Sequence, residues 1–426
     1  MKNIFLLLCL LFVSALSAQG YTVVGENLRL PNGVDIDAQG RIWVTESGYG
    51  FDDGAVSILQ PDGTLIPVVT GLPAFFDTVS MESVGPWHSM ILPDNKLGVV
   101  SPINGGVLIF DLSGFVSGVS QPFQLTDSIK TILISDYVYQ NQTPGMEDSN
   151  PYTAALDANG NWYVVDAGFN GIIKVDPAGQ RSVFCTFDPM LNPTPVGPPY
   201  IDFVPTRILA KPGGGFYVCN LTGFPFLDSL ASIVSVDQNG VVSPHANGFT
   251  MLTDLVLHPG SGDLYALQVG AFDLSIFNFA PASAKVTRLK QNGTREVVAE
   301  GFDLSPGLAL DASGNIYTSE LGLGRILRFD ASSSASSEVE TILLNDQVSP
   351  NPVTDYLQVS FYLSHSSEVV LRLLDAQGRQ IYTENMGYLP VGSHQKSLHR
   401  HNWPAGIYWL DLQAGKTLKT HKLLMK

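Results

Sequence analysis

One pattern occurs six times in this chain: a polar turn containing Gly, then a short apolar strand closed by a small, acidic or amide residue. The copies are Asp37–Glu46, Asp94–Ser101, Asp157–Asp166, Lys211–Asn220, His258–Gln268 and Asp311–Glu320. Hairpin units that recur every ~50 residues cannot bury an apolar face alone and must stack on their neighbours, which is the signature of a β-propeller. The expected fold class is all-β: a six-bladed β-propeller followed by a small β-sandwich.

Each unit reads as four strands. In the first, Gly33–Asp37 is innermost, followed by Arg41–Thr45, Ala55–Gln60 and Leu65–Val69. Alternating apolar and polar residues between Asp-Gly, Asn-Gly and Pro-Gly turns carry this reading. The sixth unit supplies Gly307–Leu310, Ile316–Ser319 and Arg325–Phe329, then runs into serines. Its fourth strand is missing in chain order. Tyr21–Leu28 resembles Arg295–Phe302, the fourth strand of the fifth unit. The expectation is that Thr22–Val24 pairs with Ile326–Phe329 and closes the ring, which removes exposed sheet edges.

Residues 1–18 read as a secretory signal peptide: Lys2, the apolar run Ile4–Val13, and the small residues Ser14–Ala18. No other stretch approaches the ~20 apolar residues a membrane helix needs, so no transmembrane segment is expected. Cys185 and Cys219 then remain, too few for a disulfide framework. Cys219 reads as a core residue, and pairing of the two is left open. Residues 19–346 hold 34 acidic and 14 basic groups, and residues 347–426 hold 5 acidic and 8 basic. An acidic body repels nucleic acid and anionic lipid. The partners it favours are cations, neutral sugars or basic proteins. Segments 117–150 and 186–205 are long connections, read equally as functional loops or as tolerated insertions. Residues 331–346 form a Ser-rich linker, and 347–426 read as six strands of the sandwich.

Two resemblances follow. Val348–Asp355, Leu373–Arg379, Leu389–His394, Trp403–Asp411 and the basic end Lys419–Lys426 closely resemble the type IX secretion system C-terminal sorting domain. That resemblance implies recognition by the type IX machinery through 347–426. It also implies passage through the periplasm and a final location that is secreted or on the outer cell surface. Leu30–Gly48 and Leu304–Gly322 resemble the NHL-like propellers, and within them the ScyD/ScyE family of exported proteins. This second resemblance implies a fold and carries no catalytic set.

Ligands of such rings lie at the channel mouth. The second strands end in Glu46, Ser101, Asp166, Asn220, Gln268 and Glu320. Repeat register places Asn32, His88, Tyr152, Thr206, Asp254 and Pro306 beside them on the inner strands. Glu46, Asp166, Asn220, Gln268 and Glu320 are therefore the candidate ligand-binding residues. Glu46, Asp166 and Glu320 offer the oxygen donors that suit Ca²⁺ or Mg²⁺. Glu46 and Glu320 also read as caps on turns or on backbone amides between blades. His88 reads either as a general base near neutral pH or as a packed residue beside Trp87. Trp43, Trp162, Tyr163, Tyr217, Tyr265 and Tyr317 read as packing between blades. Three functions stay open: a secreted or cell-surface binding or scaffolding module for a protein, glycan or small ligand; a metal-assisted hydrolase or lyase of the lactonase or strictosidine synthase-like kind; and a purely structural surface protein. Catalytic status is uncertain and leans towards none.

Overall fold

The computed structural model describes residues 20–77, 82–144, 147–331, 343–363, 367–375, 379–390, 392–400, 403–414 and 417–426. The signal-peptide segment 1–18 and most of the Ser-rich linker lie outside the described residues. The chain divides into two compact units between Ser336 and Ser337.

The first unit holds six four-stranded antiparallel sheets, numbered here as blades one to six. Blade one is Pro31–Ile36, Ile42–Glu46, Gly54–Leu59 and Leu65–Leu72; blade two is His88–Leu92, Lys96–Ser101, Gly106–Asp111 and Lys130–Leu133. Blade three is Pro151–Leu156, Trp162–Asp166, Gly171–Val175 and Arg181–Thr186; blade four is Pro205–Ala210, Phe216–Asn220, Ala231–Val236 and Val242–Phe249. Blade five is Leu252–Leu257, Leu264–Gln268, Ala284–Leu289 and Arg295–Phe302. Blade six takes Leu308–Leu310, Ile316–Glu320 and Arg325–Phe329 and is completed by Thr22–Gly25. Thr22 pairs with Arg328, Val23 with Leu327 and Gly25 with Ile326, as expected from the N-terminal repeat.

The local cause of each hairpin is legible in its turn. Asp37 Oδ1 accepts the amides of Gln39 and Arg41, at 3.0 and 2.9 Å. Asp157 does the same for Asn159 and Asn161, and Asp311 for Ser313 and Asn315. The glycine of these three turns sits at positive φ, 78° at Gly40, 81° at Gly160 and 84° at Gly314, where a side chain is disfavoured.

Apolar packing between adjacent blades forms six clusters. Trp43 packs with Leu97 and Phe110 between blades one and two, and Trp162 with Val107 and Ile109 between two and three. Tyr163, Tyr217, Tyr265 and Tyr317 belong to the next four joints. These aromatics are core, as their place in the repeat suggests. Polar bonds close the same joints. Thr153 Oγ1 donates to the Thr206 carbonyl at 2.6 Å, and Thr206 Oγ1 to the Leu252 carbonyl at 2.9 Å. Cys185 and Cys219 are both buried and free. Burial pushes each thiol up to about 12, so neither is a nucleophile at neutral pH.

The second unit is a two-sheet β structure. One sheet is Leu343–Ser349, Tyr356–Leu363 and Gly392–His399; the other is Gln380–Leu389, Ser367–Asp375, Gly406–Ala414 and Thr417–Met425. Leu357, Val359, Phe361, Leu371, Leu373 and Leu410 alternate inward to fill it. The strand Leu343–Ser349 begins within the segment read as linker.

Candidate functional site: the central channel

The residues that end the second strands are committed to their own connections. Glu46 accepts the Arg29 amide at 2.7 Å, and its carboxylate lies 3.6 Å from Arg29 Nε. Asp166 accepts the Ser149 hydroxyl at 2.5 Å and the amides of Asn150 and Phe169 at 2.8 and 2.9 Å. Glu320 accepts the Asp303 amide at 3.0 Å and Arg325 Nε at 2.8 Å. Gln268 accepts the Thr250 amide at 2.7 Å. Asn220 accepts the Ser232 amide at 2.6 Å and donates to the Phe203 carbonyl. Each side chain thus secures the segment that enters its blade, or the loop that leaves it, by satisfying buried amides that would otherwise cost ~1–3 kcal/mol each.

Glu46, Asp166 and Glu320 are not brought together. Among the described residues no three His, Cys, Asp or Glu side chains stand where they could share a metal ion. This donor set does not fit Ca²⁺ or Mg²⁺, because its oxygens face the amides of three separate blades.

A different ring lies at the centre. Pairing with the second strands puts Gly33 opposite Thr45, His88 opposite Val100, Thr153 opposite Val165 and Asp254 opposite Leu267. The equivalent residues of blades four and six are Arg207 and Gly307, the latter bonded through its carbonyl to the Ser319 amide at 3.1 Å. Of the six inner-strand positions expected here, His88 and Asp254 hold. Asn32, Tyr152, Thr206 and Pro306 each precede the ring position by one residue, although the Tyr152 ring still lies beside His88. The inner strands of blades one, three, four and five carry a bulge at this point, between Pro31 and Gly33, Pro151 and Thr153, Pro205 and Ile208, and Leu252 and Asp254. An extra residue in a strand moves every later side chain to the other face. Asp35 stands one layer further along blade one, opposite Trp43.

Asp35, His88, Ser89, Met90, Thr153 and Arg207 line one cavity of about 200 Å³. Arg207 Nε lies 3.2 Å from Asp254 Oδ1. Asp254 also accepts the amides of Leu255 and Leu308 at 2.8 and 2.9 Å. Burial pushes the Asp35 carboxyl up to about 7; Arg207 opposes this shift and Asp254 adds to it. Burial likewise raises Asp254 to about 6, against the pull of Arg207 and its two amides. His88 is 2% exposed, and neither ring nitrogen has a hydrogen-bond partner. Burial and the neighbouring guanidinium hold its pKa well below the ordinary imidazole value. It is neutral at physiological pH, with one N–H to give and one lone pair to receive. Its ring meets Tyr152 edge-on at 5.5 Å. Gly33 makes the fit possible: a Cβ there would stand 3.2 Å from His88 Nδ1 and 3.0 Å from the Trp87 carbonyl.

Residues 347–426 match the family model of the secretion system C-terminal sorting domain. That segment marks the chain for export by type IX secretion. No curated protein matches the chain in sequence. Among solved structures, PorZ, a surface component of the type IX secretion system of Porphyromonas gingivalis, aligns at 13% identity and a TM-score of 0.38. The alignment covers 93% of this chain and 59% of PorZ. A putative gluconolactonase aligns at 11% identity and a TM-score of 0.46, over 74% of this chain and 92% of its own. Virginiamycin B lyase from Staphylococcus aureus aligns at 10% and 0.43, over 81% and 95%. This chain therefore spans less than two thirds of PorZ. No helix among the described residues is long and apolar enough to cross a membrane.

Sequence reasoning missed Asp35 and Arg207. Their signal was present: each is a charged residue inside an apolar inner strand, in Gly-Val-Asp-Ile and Thr-Arg-Ile-Leu. A charge at such a position is buried only with a partner.

Proposed function

We propose that this chain is a binding propeller that reaches the outer surface or medium through the periplasm and takes a small, uncharged, polar ligand into its central channel. The observation that carries this reading is His88. A buried imidazole with both nitrogens unpaired is costly, and it borders a cavity shared with Asp35 and Arg207. Hydroxyl groups both donate and accept hydrogen bonds, so they match an imidazole, a carboxyl and a guanidinium together. Arg207 is already balanced by Asp254, which disfavours a ligand with full charge of either sign. Kinship with the NHL-like ScyD/ScyE propellers belongs to the same reading.

Calorimetric titration of the purified protein with monosaccharides, polyols and lactones tests the proposal, with small carboxylates and amines as contrasts. One neutral hydroxylated compound should bind, and His88→Phe should weaken it at least tenfold while the fold is retained. Binding confined to charged compounds, or unaffected by His88→Phe, overturns the channel assignment. Export is tested separately: removal of 347–426 should leave the protein in the periplasm, and unchanged surface delivery would refute the sorting role.

A further inference from the structure

The two faces of the ring differ in chemistry. Each inner strand runs away from the face where the second strands end. The connections between second and third strands, and those from each fourth strand to the next blade, therefore share that face. Among the described residues they comprise 26–30, 47–53, 73–77, 82–87, 102–105, 134–144, 147–150, 167–170, 187–204, 221–230, 250–251, 269–283, 303–307 and 321–324. These segments contain thirteen acidic residues, no lysine and a single arginine, Arg29, which is held by Glu46. They contain sixteen of the Phe, Tyr and Trp residues, whereas the connections of the opposite face contain two, Phe115 and Phe123.

Among the described residues this face alone carries small added hairpins, Phe75–Asp77 with Glu82–Val84, Met190–Leu191 with Tyr200–Ile201, and Phe272–Asp273 with Asn278–Phe279. Ile201 turns inward, but several large apolar side chains of this face stay in solvent. Phe51 is 84% exposed, Leu191 71%, Phe277 69% and Tyr200 57%. Phe277 holds φ at 51°, a conformation that costs a bulky residue ~1–2 kcal/mol and that Gly or Asn would adopt more easily. Its ring stands 5.8 Å from Phe224 of blade four and 5.4 Å from Phe272 of blade five, so the aromatic surface runs across a blade joint.

We infer that this face is the docking surface for a protein partner whose contact patch carries arginine or lysine among apolar side chains. Exposed aromatic groups supply the desolvated centre of an interface. Guanidinium groups stack on such rings and pair with carboxylates at the rim. The absence of lysine from these segments removes the cations that would repel such a partner and would attract anionic lipid or polysaccharide. A neutral glycan makes use of the rings but has no need of the charge. The assignment does not depend on what occupies the channel.

The test uses the full chain immobilised, with a 16-residue peptide of mixed Arg and Leu as the probe. Peptides of Arg with Ser and of Glu with Leu, and a neutral oligosaccharide, serve as contrasts. Only the Arg–Leu peptide should bind well, and its affinity should fall at least tenfold between low and moderate salt. Tyr200→Ser with Phe277→Ser should lower that affinity at least tenfold, as should Asp188→Asn with Asp202→Asn. All four side chains are exposed, so the melting temperature should hold. Asp94→Asn with Val241→Ser, on the opposite face, should change nothing. Absence of peptide binding, survival of binding in the aromatic variant, or equal loss in the opposite-face control overturns the proposal. So does salt-independent capture of the oligosaccharide by the same rings, which would assign the face to a glycan.

Discussion

Arg207 Nε of blade four lies 3.2 Å from Asp254 Oδ1 of blade five. The pair joins two blades at the centre of the ring, and Asp254 extends the joint to blade six through the Leu308 amide. Asp254→Ala should therefore lower stability by about 3–5 kcal/mol, because it strands a buried guanidinium. Arg207→Met combined with Asp254→Leu should recover part of that loss. Chemical denaturation of the three variants measures it, and an Asp254→Ala cost below ~1 kcal/mol would show that Asp35 alone balances the arginine.

The raised carboxyl of Asp35 predicts a pH effect with a definite sign. An aspartate in the unfolded chain titrates near 3.9, and this one titrates near 7 in the fold. Its contribution is full below pH ~4 and is lost as pH rises towards 7. The parent should thus lose stability between pH ~4 and ~7, with Asp254 contributing in the same direction. Asp35→Asn should flatten that slope and be more stable than the parent at pH 8 by ~1–3 kcal/mol. Urea midpoints at both pH values decide it; an unchanged slope would place Asp35 in contact with bulk water.

The carboxylates at the second-strand ends should behave as caps. Glu46→Ala should cost ~1–3 kcal/mol by leaving the Arg29 amide unpaired, while Glu46→Gln, which keeps an acceptor, should cost less than half as much. Millimolar Ca²⁺ or Mg²⁺ should leave the melting temperature of residues 19–330 unchanged relative to EDTA. A rise that disappears with Glu46→Gln and Glu320→Gln together would restore the metal site.

Closure by the N-terminus should be a large part of blade-six stability. Leu28 is 1% exposed and packs with Val34, Tyr317 and Ile326. Removal of residues 19–28 opens the Arg325–Phe329 edge and takes Leu28 and Val24 out of that cluster. Lower melting temperature and concentration-dependent association are expected, read by calorimetry and light scattering. A deletion that melts like the parent would mean that the ring closes without this strand.

The blades, their hairpin turns and the velcro of Thr22–Gly25 onto Arg325–Phe329 follow from sequence by itself. They rest on local chemistry: Asp-x-x-Gly turns, period-two alternation, and the similarity of Tyr21–Leu28 to Arg295–Phe302. Trp43 and Tyr317 were equally legible as core, because a closed ring has no other place to bury a recurring aromatic. Tertiary structure alone decided which side chains meet at the centre. Bulges in three inner strands put Gly33, Thr153 and Arg207, rather than Asn32, Tyr152 and Thr206, in register with His88 and Asp254, and a single inserted residue leaves no trace in the repeat period. The same holds for Glu46, Asp166 and Glu320. Their spacing announces a ring of carboxylates, but whether each turns to an axis or to the nearest unpaired amide is set by where the preceding connection lies. Here Arg29, Asn150 and Asp303 bring those amides within 2.7–3.0 Å, and the cost of leaving a buried N–H unpaired decides the outcome.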